Sequence, residues 1–330
     1  MSRLHKRRPL DPTQPISNYE TGKVIIAGGA GFLGQALAQW FERQKWDVVI
    51  LSRRPSPSWG SVRTVVWDGR TPGPWEEELV GSDAVVNLTG RSVACLYTPE
   101  NKREIIASRV ESTRLIAEAR GRCPDPPTVL VQASSLAIYG DPGDRICDEQ
   151  APHGTGFSAE VCEAWEKAFF AEQGFGGPRR VALRIGFVLG RDGGALQPLT
   201  KLALLYLGGT AGNGRQYISW LHLEDFCAMV AWAITHPEVE GIYNATGPNP
   251  ATNAEFMRFT RKALGRPWSP PTPAWAVKFG ARFLMRVDPS LVLTGRRCVS
   301  SRLPAEGFVV KHTNLETTLR ELLLPLRSYN

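Results

Sequence analysis

Short apolar runs alternate with amphipathic stretches along the first 190 residues. The runs are rich in valine and isoleucine, as in strands that are buried on both faces of a sheet. We predict six strands, at residues 24–27, 48–51, 62–67, 84–88, 129–133 and 181–185. Apolar side chains three and four positions apart predict helices between them, at residues 32–41, 99–120 and 157–169. Strands that alternate with helices favour an α/β fold, a doubly wound parallel sheet with helices on both faces.

The pattern changes after Gly190, where glycines and prolines interrupt shorter elements. We expect a smaller C-terminal substrate lobe here, with a segment near residues 220–247 that returns to the main sheet. The elements predicted in this half are a helix at 222–236, a strand at 242–245, a capping-box helix from Thr252 and Glu255 through Leu264, a proline-rich link at 267–273 and a last helical segment at 274–286. The predicted domains are a disordered tail (1–22), a nucleotide-binding domain (23–190, with 220–247) and the substrate lobe (191–219 and 248–330).

A glycine cluster lies directly between the first predicted strand and the first predicted helix. Residues 28–34, Gly-Gly-Ala-Gly-Phe-Leu-Gly, fit both G-x-G-x-x-G and G-x-x-G-x-x-G. Such a turn uses backbone angles that glycine adopts freely, and its backbone can approach a pyrophosphate that the helix N-terminus then binds. The cofactor-binding residues predicted for this Rossmann-type turn are Gly28, Gly31, Phe32, Leu33 and Gly34. A glycine-rich turn without a ligand is the alternative interpretation.

The second predicted strand ends in Leu51-Ser52-Arg53-Arg54. A coenzyme that lacks a 2′-phosphate usually meets an Asp or Glu at this place, whereas two guanidinium groups and a hydroxyl suit a dianionic 2′-phosphate. The sequence therefore favours NADP(H) over NAD(H) as the cofactor, bound by Ser52, Arg53 and Arg54. A solvated basic turn is the alternative.

Two further strand ends offer cofactor contacts. Asp68 follows the third predicted strand, where it either accepts a hydrogen bond from adenine or caps a turn. Asn87, Leu88, Thr89 and Gly90 end the fourth strand, at the edge where doubly wound sheets bind ligands. Asparagine and glycine are also ordinary turn residues, so the same four residues fit a plain turn as well.

The fifth predicted strand runs into Ser134, Ser135 and, four residues later, Tyr139. A hydroxyl at this strand end can hydrogen-bond a substrate carbonyl or alcohol beside the nicotinamide, or it can satisfy the local backbone instead. We take Ser135 and Tyr139 as the candidate catalytic residues.

Composition narrows the class of protein. With 42% hydrophobic and 22% charged residues, the chain resembles an ordinary globular protein. The formal charge is +7, and its basic residues are spread along the chain except for three consecutive ones at residues 6–8. This distribution favours a role in solubility over a nucleic-acid partner. The six cysteines form no C-x-x-C pair, so we expect no metal site and the reduced thiols of a cytoplasmic protein.

The chain shows no sign of a membrane segment. No apolar run approaches the ~18 residues of a membrane span, and we expect no membrane partner. The first 21 residues lack the apolar core of a signal peptide, and they suit a disordered tail or a short organellar presequence.

Several of these motifs, taken in order, resemble the extended short-chain dehydrogenases/reductases. They are the glycine turn, Asn87-Leu88-Thr89-Gly90, Ser134-Ser135-x-x-x-Tyr139-Gly140, Leu183-Arg184-x-Gly186-x-Val188-Leu189-Gly190 and Ser219-Trp220-Leu221-His222-x-Glu224-Asp225. Within that group the chain resembles the epimerase family proteins, which are described as nucleotide-sugar-epimerase-like or cell-division-inhibitor-like. The markers are Cys162-x-x-Trp165-Glu166, Gly212-x-Gly214-Arg215-Gln216, Asn244-Ala245-Thr246-x-Pro248 and a small C-terminal domain of unknown function at about 270–324.

The sequence departs from the broad family at the catalytic pair. That family carries Tyr-x-x-x-Lys on the helix after the serine motif, and the lysine lowers the pKa of the phenol for proton exchange. When the chain is registered on Glu166, Ser158 and Cys162 occupy these two positions. The Tyr-x-x-x-Lys at Tyr19 precedes the first strand, and we regard it as accidental.

The resemblance implies the first of two alternative functions, and the missing catalytic pair permits the second. The first is an NADP(H)-binding oxidoreductase or epimerase-like enzyme for a small carbonyl or nucleotide-sugar-like substrate, in which Ser135 orients the oxygen and Tyr139 or water donates the proton. The second is a non-catalytic NADP(H)-binding redox sensor or regulatory protein. The expected substrate-lobe contacts are Arg215, Gln216, Trp220 and His222, with a capping role as the alternative for His222. The sequence is compatible with a homodimer.

Overall fold

The computed structural model describes residues 21–171, 177–266 and 268–327. Its strands are β1 (Lys23–Ala27), β2 (Asp47–Ser52), β3 (Val62–Val66), β4 (Ala84–Asn87), β5 (Val129–Ser135), β6 (Ile146–Cys147), β7 (Arg179–Ile185), β8 (Phe187–Leu189), β9 (Tyr217–Ile218), β10 (Trp220–His222), β11 (Gly241–Ala245), β12 (Ala251–Thr252) and β13 (Arg297–Cys298). Its α-helices are α1 (Phe32–Arg43), α2 (Pro99–Arg122), α3 (Phe157–Phe169), α4 (Leu196–Leu204), α5 (Leu223–Thr235), α6 (Asn253–Ala263), α7 (Ala274–Phe279), α8 (Ser290–Leu293), α9 (Arg302–Ala305) and α10 (Leu315–Arg327). Apart from residues 21 and 22, the predicted tail lies outside the described residues, as does Pro267 of the predicted link.

Seven strands form one parallel sheet in the order β3-β2-β1-β4-β5-β7-β11. The chain builds outward in one direction from β1 to β3 and in the other from β4 onward. The switch point between β1 and β4 is where such sheets open a crevice at the carboxyl ends of their strands. The predicted fold class, a Rossmann-type doubly wound sheet, is confirmed. The edge strand β11 comes from the second half of the chain.

Both faces of the sheet are covered by helices. In β1, Val24 and Ile26 face the apolar layer that contains α1 and α5, whereas Ile25 and Ala27 face the layer that contains α2. Successive side chains of a strand point to opposite faces, so a strand that is buried on both sides needs an uninterrupted apolar run. All four side chains are fully buried.

A smaller apolar core lies in the C-terminal lobe, among α4, α6 and α10. The predicted capping box is present at the start of α6, where Thr252 Oγ1 accepts from the Glu255 N–H and Glu255 Oε2 accepts from the Thr252 N–H. The predicted last helical segment at 274–286 is α7 followed by a π-helical turn, Gly280–Leu284. It is not the last helix, because α10 follows it and packs against α6 through Leu319 and Leu323.

One short strand pair joins the C-terminal lobe to the loop region after β5. β13 runs parallel to β6, with Arg297 opposite Ile146 and Cys298 opposite Cys147. The pairing brings the segment that precedes β13 to the carboxyl edge of the main sheet. Among the described residues, no helix combines the length and the apolar character that crossing a bilayer requires.

Candidate functional site

The glycine turn joins β1 to α1 at the switch point of the sheet. Gly28 has a φ of +76°, and a Cβ on it would lie 3.0 Å from the backbone of Leu88 and Thr89. A Cβ on Gly34 would lie 2.4 Å from the Cα of Gly29. Glycine is therefore required at both places, because the turn packs directly against the end of β4 and against the first turn of α1.

In the part of the chain that the structure describes, the amino end of α1 has no side-chain cap. Its N-cap residue is Gly31, and no side chain of the described residues caps the free N–H groups of the first helical turn. Such a terminus binds phosphate through these N–H groups and the helix dipole. The ring of Phe32 packs beneath the loop after β8, where Cβ atoms on Gly190 and Gly194 would lie 2.7 Å from it. This loop therefore lies over the start of α1.

The end of β2 lies beside the glycine turn, since the Gly28 N–H donates to the Leu51 carbonyl oxygen at 2.9 Å. Ser52 is buried, and its Oγ accepts a hydrogen bond from the Arg54 N–H at 3.3 Å. The side chains of Arg53 and Arg54 are exposed. The structure thus places two guanidinium groups at the strand end where the adenosine ribose of a dinucleotide lies in this fold.

Asp68 and Asn87, two predicted cofactor contacts, have partners within the chain. The Asp68 carboxylate accepts from the backbone N–H groups of Arg70 and Thr71 at 2.7 and 2.8 Å, and these bonds lower its pKa. Asp68 therefore caps a turn, which was one of its two predicted roles. Asn87 is buried; its amide donates to Gln132 Oε1 at 3.0 Å and accepts from the Thr89 N–H at 3.0 Å. These hydrogen bonds fix the backbone conformation at the end of β4.

Ser135 lies half-buried at the carboxyl end of β5. Its Oγ accepts a hydrogen bond from the Ala137 N–H at 3.2 Å, which fixes the oxygen and leaves the hydroxyl proton for donation. The neighbouring Ser134 is buried and donates to Glu166 Oε1 at 2.6 Å. Of the two serines, Ser135 is the one whose hydroxyl can meet a ligand.

Tyr139 lies in a buried polar network, with a side chain that is 1% exposed. Its hydroxyl donates to Asn244 Oδ1 and accepts from Arg184 Nη1, both at 2.8 Å. Burial raises the pKa of Tyr139 to about 12, although the nearby Arg184 acts in the opposite direction. This placement gives no support to Tyr139 as the proton donor to a substrate.

The two positions of the missing catalytic pair lie on α3. Ser158 is half-buried, and the thiol of Cys162 is 3% exposed. Burial raises the pKa of Cys162 to about 12, so the group is a neutral thiol at pH 7 and supplies no charge in place of lysine. The Glu166 carboxylate also raises this pKa, whereas Arg109 and Arg296 lower it.

Sequence reasoning missed three residues near this part of α3. Tyr97 packs edge-on against Phe157, with 4.8 Å between ring centroids, and burial raises the pKa of its phenol. Arg109 and Arg296 bring positive charge close to Cys162. No local signal in the sequence distinguishes these two arginines from the others, because only the tertiary fold brings them close to α3.

The predicted substrate-lobe residues have different surroundings. Arg215 is exposed and lies 3.5 Å from an Asp144 carboxylate oxygen. The Gln216 amide donates to the carbonyl oxygen of Ala211 at 3.0 Å, so it stabilises the backbone of the C-terminal lobe. Trp220 is fully buried and donates to a backbone carbonyl, which gives no support to a substrate contact.

His222 is the N-cap residue of α5, the alternative that the sequence left open. Its Nδ1 accepts from the Glu224 N–H at 3.1 Å. The ring stacks on His312 with 3.9 Å between centroids, and ligand atoms of His222, Glu224 and His312 lie within 4.8 Å of one another. Because Nδ1 is an acceptor, the neutral ring carries its proton on Nε2 and has no free lone pair for a cation. We assign His222 to helix capping.

Two protein-family models and a relative from a plant match this chain. A family model described as the NAD dependent epimerase/dehydratase family matches residues 24–166, and the model of a domain of unknown function, DUF1731, matches residues 272–322. The chloroplastic homolog of epimerase family protein SDR39U1 from Arabidopsis thaliana is 33% identical over 307 residues, which cover 91% of this chain and 86% of that protein.

Two solved structures are similar along almost the whole chain. The crystal structure of human epimerase family protein SDR39U1 (isoform 2) with NADPH has a TM-score of 0.79 and 30% identity, and the match covers 91% of this chain and 98% of that one. The nucleoside-diphosphate sugar epimerase from Corynebacterium glutamicum has a TM-score of 0.73 and 27% identity, over 92% of this chain and 58% of that one.

The sheet order and the glycine turn define a protein of the NAD(P)-binding, short-chain dehydrogenase/reductase type. Within this class, the chain belongs to the epimerase family that includes SDR39U1, with a DUF1731 domain at its C-terminal end. The family resemblance that the sequence motifs indicated is confirmed.

Proposed function

We propose that this protein binds NADP(H) in the crevice between β1 and β4. The observation that carries the proposal is the glycine turn, which packs on the end of β4 and leaves the amino end of α1 uncapped. The backbone of residues 31–34 would hold the pyrophosphate, and Arg53 and Arg54 would hold the 2′-phosphate. The structure of human SDR39U1 with NADPH supports this choice of cofactor.

We propose further that the protein acts on a small carbonyl or nucleotide-sugar-like compound as an oxidoreductase or epimerase-like enzyme. The coenzyme, when bound, would exchange a hydride with a substrate carbon: NADPH would give it up in a reduction, whereas NADP+ would take it and return it in an epimerisation. Ser135 orients the substrate oxygen, because its own oxygen is fixed by the Ala137 N–H and its proton is free to be donated. With the Tyr139 hydroxyl occupied by Asn244 and Arg184, water carries the proton that the substrate oxygen gains or loses.

Replacement of Arg53 tests the cofactor assignment. Arg53→Ala removes a charge-assisted contact to the 2′-phosphate, which is absent from NADH. We expect the Kd for NADPH to rise about tenfold or more while the Kd for NADH stays within about twofold. Isothermal titration of the purified protein with each nucleotide measures both constants.

Arg43→Ala is the matched control, since Arg43 is an exposed arginine in the last turn of α1, at the end opposite the glycine turn. It should leave both constants unchanged. Equal losses of NADPH and NADH affinity in Arg53→Ala would refute the 2′-phosphate contact, and failure of the wild-type protein to bind either nucleotide would refute the cofactor proposal itself.

A non-catalytic NADP(H)-binding sensor or regulatory protein is the second candidate. It is favoured by one observation, that α3 carries Ser158 and a neutral Cys162 where the broad family has its tyrosine and lysine. Turnover assays on a panel of carbonyl compounds and nucleotide sugars separate the two candidates. Net NADPH oxidation, or formation of an epimer in the presence of NADP+, that is lost in Ser135→Ala supports the enzyme, whereas tight NADPH binding without turnover of any compound supports the sensor.

A further inference from the structure

Arg109, on α2, is half-buried, and its hydrogen-bond partners in the described part of the chain are neutral. Its Nη1 donates to the carbonyl oxygens of Ile105 at 2.9 Å and Arg91 at 3.0 Å. Its guanidinium carbon lies 4.9 Å from the centroid of the Trp165 ring. A Cβ on Gly90, at the carboxyl end of β4, would lie 3.0 Å from the same carbon. The guanidinium therefore lies between the end of β4 and the face of α3.

Arg296 belongs to the C-terminal lobe and directly precedes β13. Its Nε donates to the carbonyl oxygen of Gly140 at 3.1 Å, in the loop after β5. Arg296 lies two residues before Cys298, and its charge acts on the Cys162 thiol of α3. Cys298 packs in one buried cluster with Cys162 of α3. The fold thus directs Arg296 toward the part of α3 that Arg109 approaches from α2.

Neither of these two half-buried arginines forms a salt bridge within the described ranges. Among the described residues, no carboxylate oxygen lies within 4 Å of either guanidinium, although the charge of Asp141 reaches Arg296 from farther away. Burial lowers the pKa of both side chains, yet arginine remains protonated at neutral pH. Both side chains are half-buried, and none of their nitrogens is both buried and without a partner, so their free N–H donors can be reached from solution.

A third arginine, Arg184, shows the contrasting case of a cation that is paired with a carboxylate. Arg184 forms two bonds to the Glu166 carboxylate, at 2.8 and 2.9 Å, and is 2% exposed. Arg109 and Arg296 have only backbone carbonyl partners and a ring, so their remaining N–H donors are available. Arginine donors in this arrangement match the oxygens of a carboxylate or phosphate.

We propose that Arg109 and Arg296 form an anion-binding site for a carboxylate or phosphate group of the substrate. The DUF1731 domain thereby completes the site, because it supplies Arg296 while the nucleotide-binding domain supplies Arg109. The site lies next to the α3 positions of the missing catalytic pair and apart from the Arg53 side of the crevice. The assignment of the anion to a substrate rests on the proposed function; the presence of the anion site does not.

The site is tested with inorganic phosphate and with malonate as probes, on the full-length protein with and without saturating NADPH. Ionic strength is held constant with potassium chloride. We expect at least one of the two anions to raise the Tm of the wild-type protein in a saturable way. Arg109→Gln and Arg296→Gln should each weaken this binding about tenfold or more, and the lysine variants should lose less because they keep the charge.

Arg103, which is exposed, and Arg297, which is half-buried like Arg296, serve as matched controls. Arg103 lies on α2 and pairs with Glu100, and the guanidinium of Arg297 lies over the Tyr217 ring, 5.1 Å from its centroid. Their glutamine variants should bind phosphate and malonate like the wild type. The Arg109 and Arg296 variants should still unfold cooperatively in the absence of anion, which shows that a loss of anion binding is not a loss of folding.

Each contrary result has a distinct meaning. A wild-type Tm that does not respond to either anion, or that responds equally in all variants, overturns the anion site. A loss of NADPH affinity in Arg109→Gln as large as that in Arg53→Ala would show that the pair holds the cofactor, which also overturns the proposal. Failure of NADPH binding in the wild type would refute the proposed function alone, since the anion titration without NADPH would still report on the site.

Discussion

Arg184 shows how this protein neutralises a buried charge with its own residues. The guanidinium donates to both oxygens of the Glu166 carboxylate and to the Tyr139 hydroxyl, and Glu166 also accepts from Ser134. The network connects the serine motif, α3 and β7 in the interior. Its residues therefore hold the carboxyl ends of the strands in place, whereas Ser135 remains available to a ligand.

Glu166→Ala should destabilise the fold strongly, because it leaves Arg184 buried without a counter-ion. We expect a loss of about 3–5 kcal/mol in the free energy of unfolding, measured from urea unfolding at pH 7. Glu163→Ala is the control on the same helix, since Glu163 is exposed and pairs with His153. It should change the stability by about 1 kcal/mol or less. Equal effects of the two substitutions would contradict the buried ion pair.

At the scale of elements, the contact between β1 and α1 depends on glycine. A methyl group at Gly34 would lie 2.4 Å from the Gly29 Cα, so Gly34→Ala must push α1 away from the turn. We expect a loss of about 1–3 kcal/mol of stability and weaker binding of NADPH, measured by urea unfolding and by nucleotide titration. Gly121→Ala, in α2, meets no atom within 4 Å and should be neutral or stabilise the protein by up to about 1 kcal/mol. A Gly34→Ala variant as stable as Gly121→Ala would contradict this account of the turn.

The sequence predicted best those strands and helices whose own hydrophobic pattern determines their secondary structure. The fourth strand ends one residue earlier than predicted, at Asn87, and the fifth continues to Ser135. Helix α10 was missed, because its apolar stripe follows a long irregular region and is meaningful only against α6. The glycine turn could be predicted because its motif is local in the sequence, whereas no local motif marks Arg109 or Arg296. Whether an arginine is paired depends on residues far away along the chain, which a single sequence does not bring together.

At the scale of the whole molecule, one half-buried carboxylate helps to connect the C-terminal lobe to the edge of the main sheet. Glu149 follows β6 and accepts from the backbone N–H groups of Asn244 and Ser301, both at 2.9 Å. The hydroxyls of Ser300 and Ser301 also donate to it. These bonds connect the loop after β6, the end of β11 and the segment after β13. They fix the lobe in the position from which Arg296 reaches Gly140.

The Glu149 carboxylate should therefore make the stability of the protein depend on pH. Burial alone would raise its pKa, but the hydrogen bonds from Ser300, Asn244 and Ser301 outweigh burial and lower it below the ordinary value of 4.5. A carboxylate whose pKa is lower in the folded state stabilises the fold above the unfolded-state pKa, and this contribution is lost as the pH falls through the folded-state pKa. Glu149→Gln should thus lower the Tm at pH 7, by an amount equivalent to about 1–3 kcal/mol.

The difference in Tm between the wild type and Glu149→Gln should shrink steadily below pH 4.5, because acid protonates the wild-type carboxylate and makes it resemble the amide. Differential scanning fluorimetry from pH 7 down to about pH 3 measures this convergence. Glu160→Gln, an exposed change on α3, should match the wild type at every pH. A Tm difference for Glu149→Gln that stays constant into the acid range would mean that the ionised carboxylate does not hold the lobe, and that the position of Arg296 depends on the β6–β13 pairing instead.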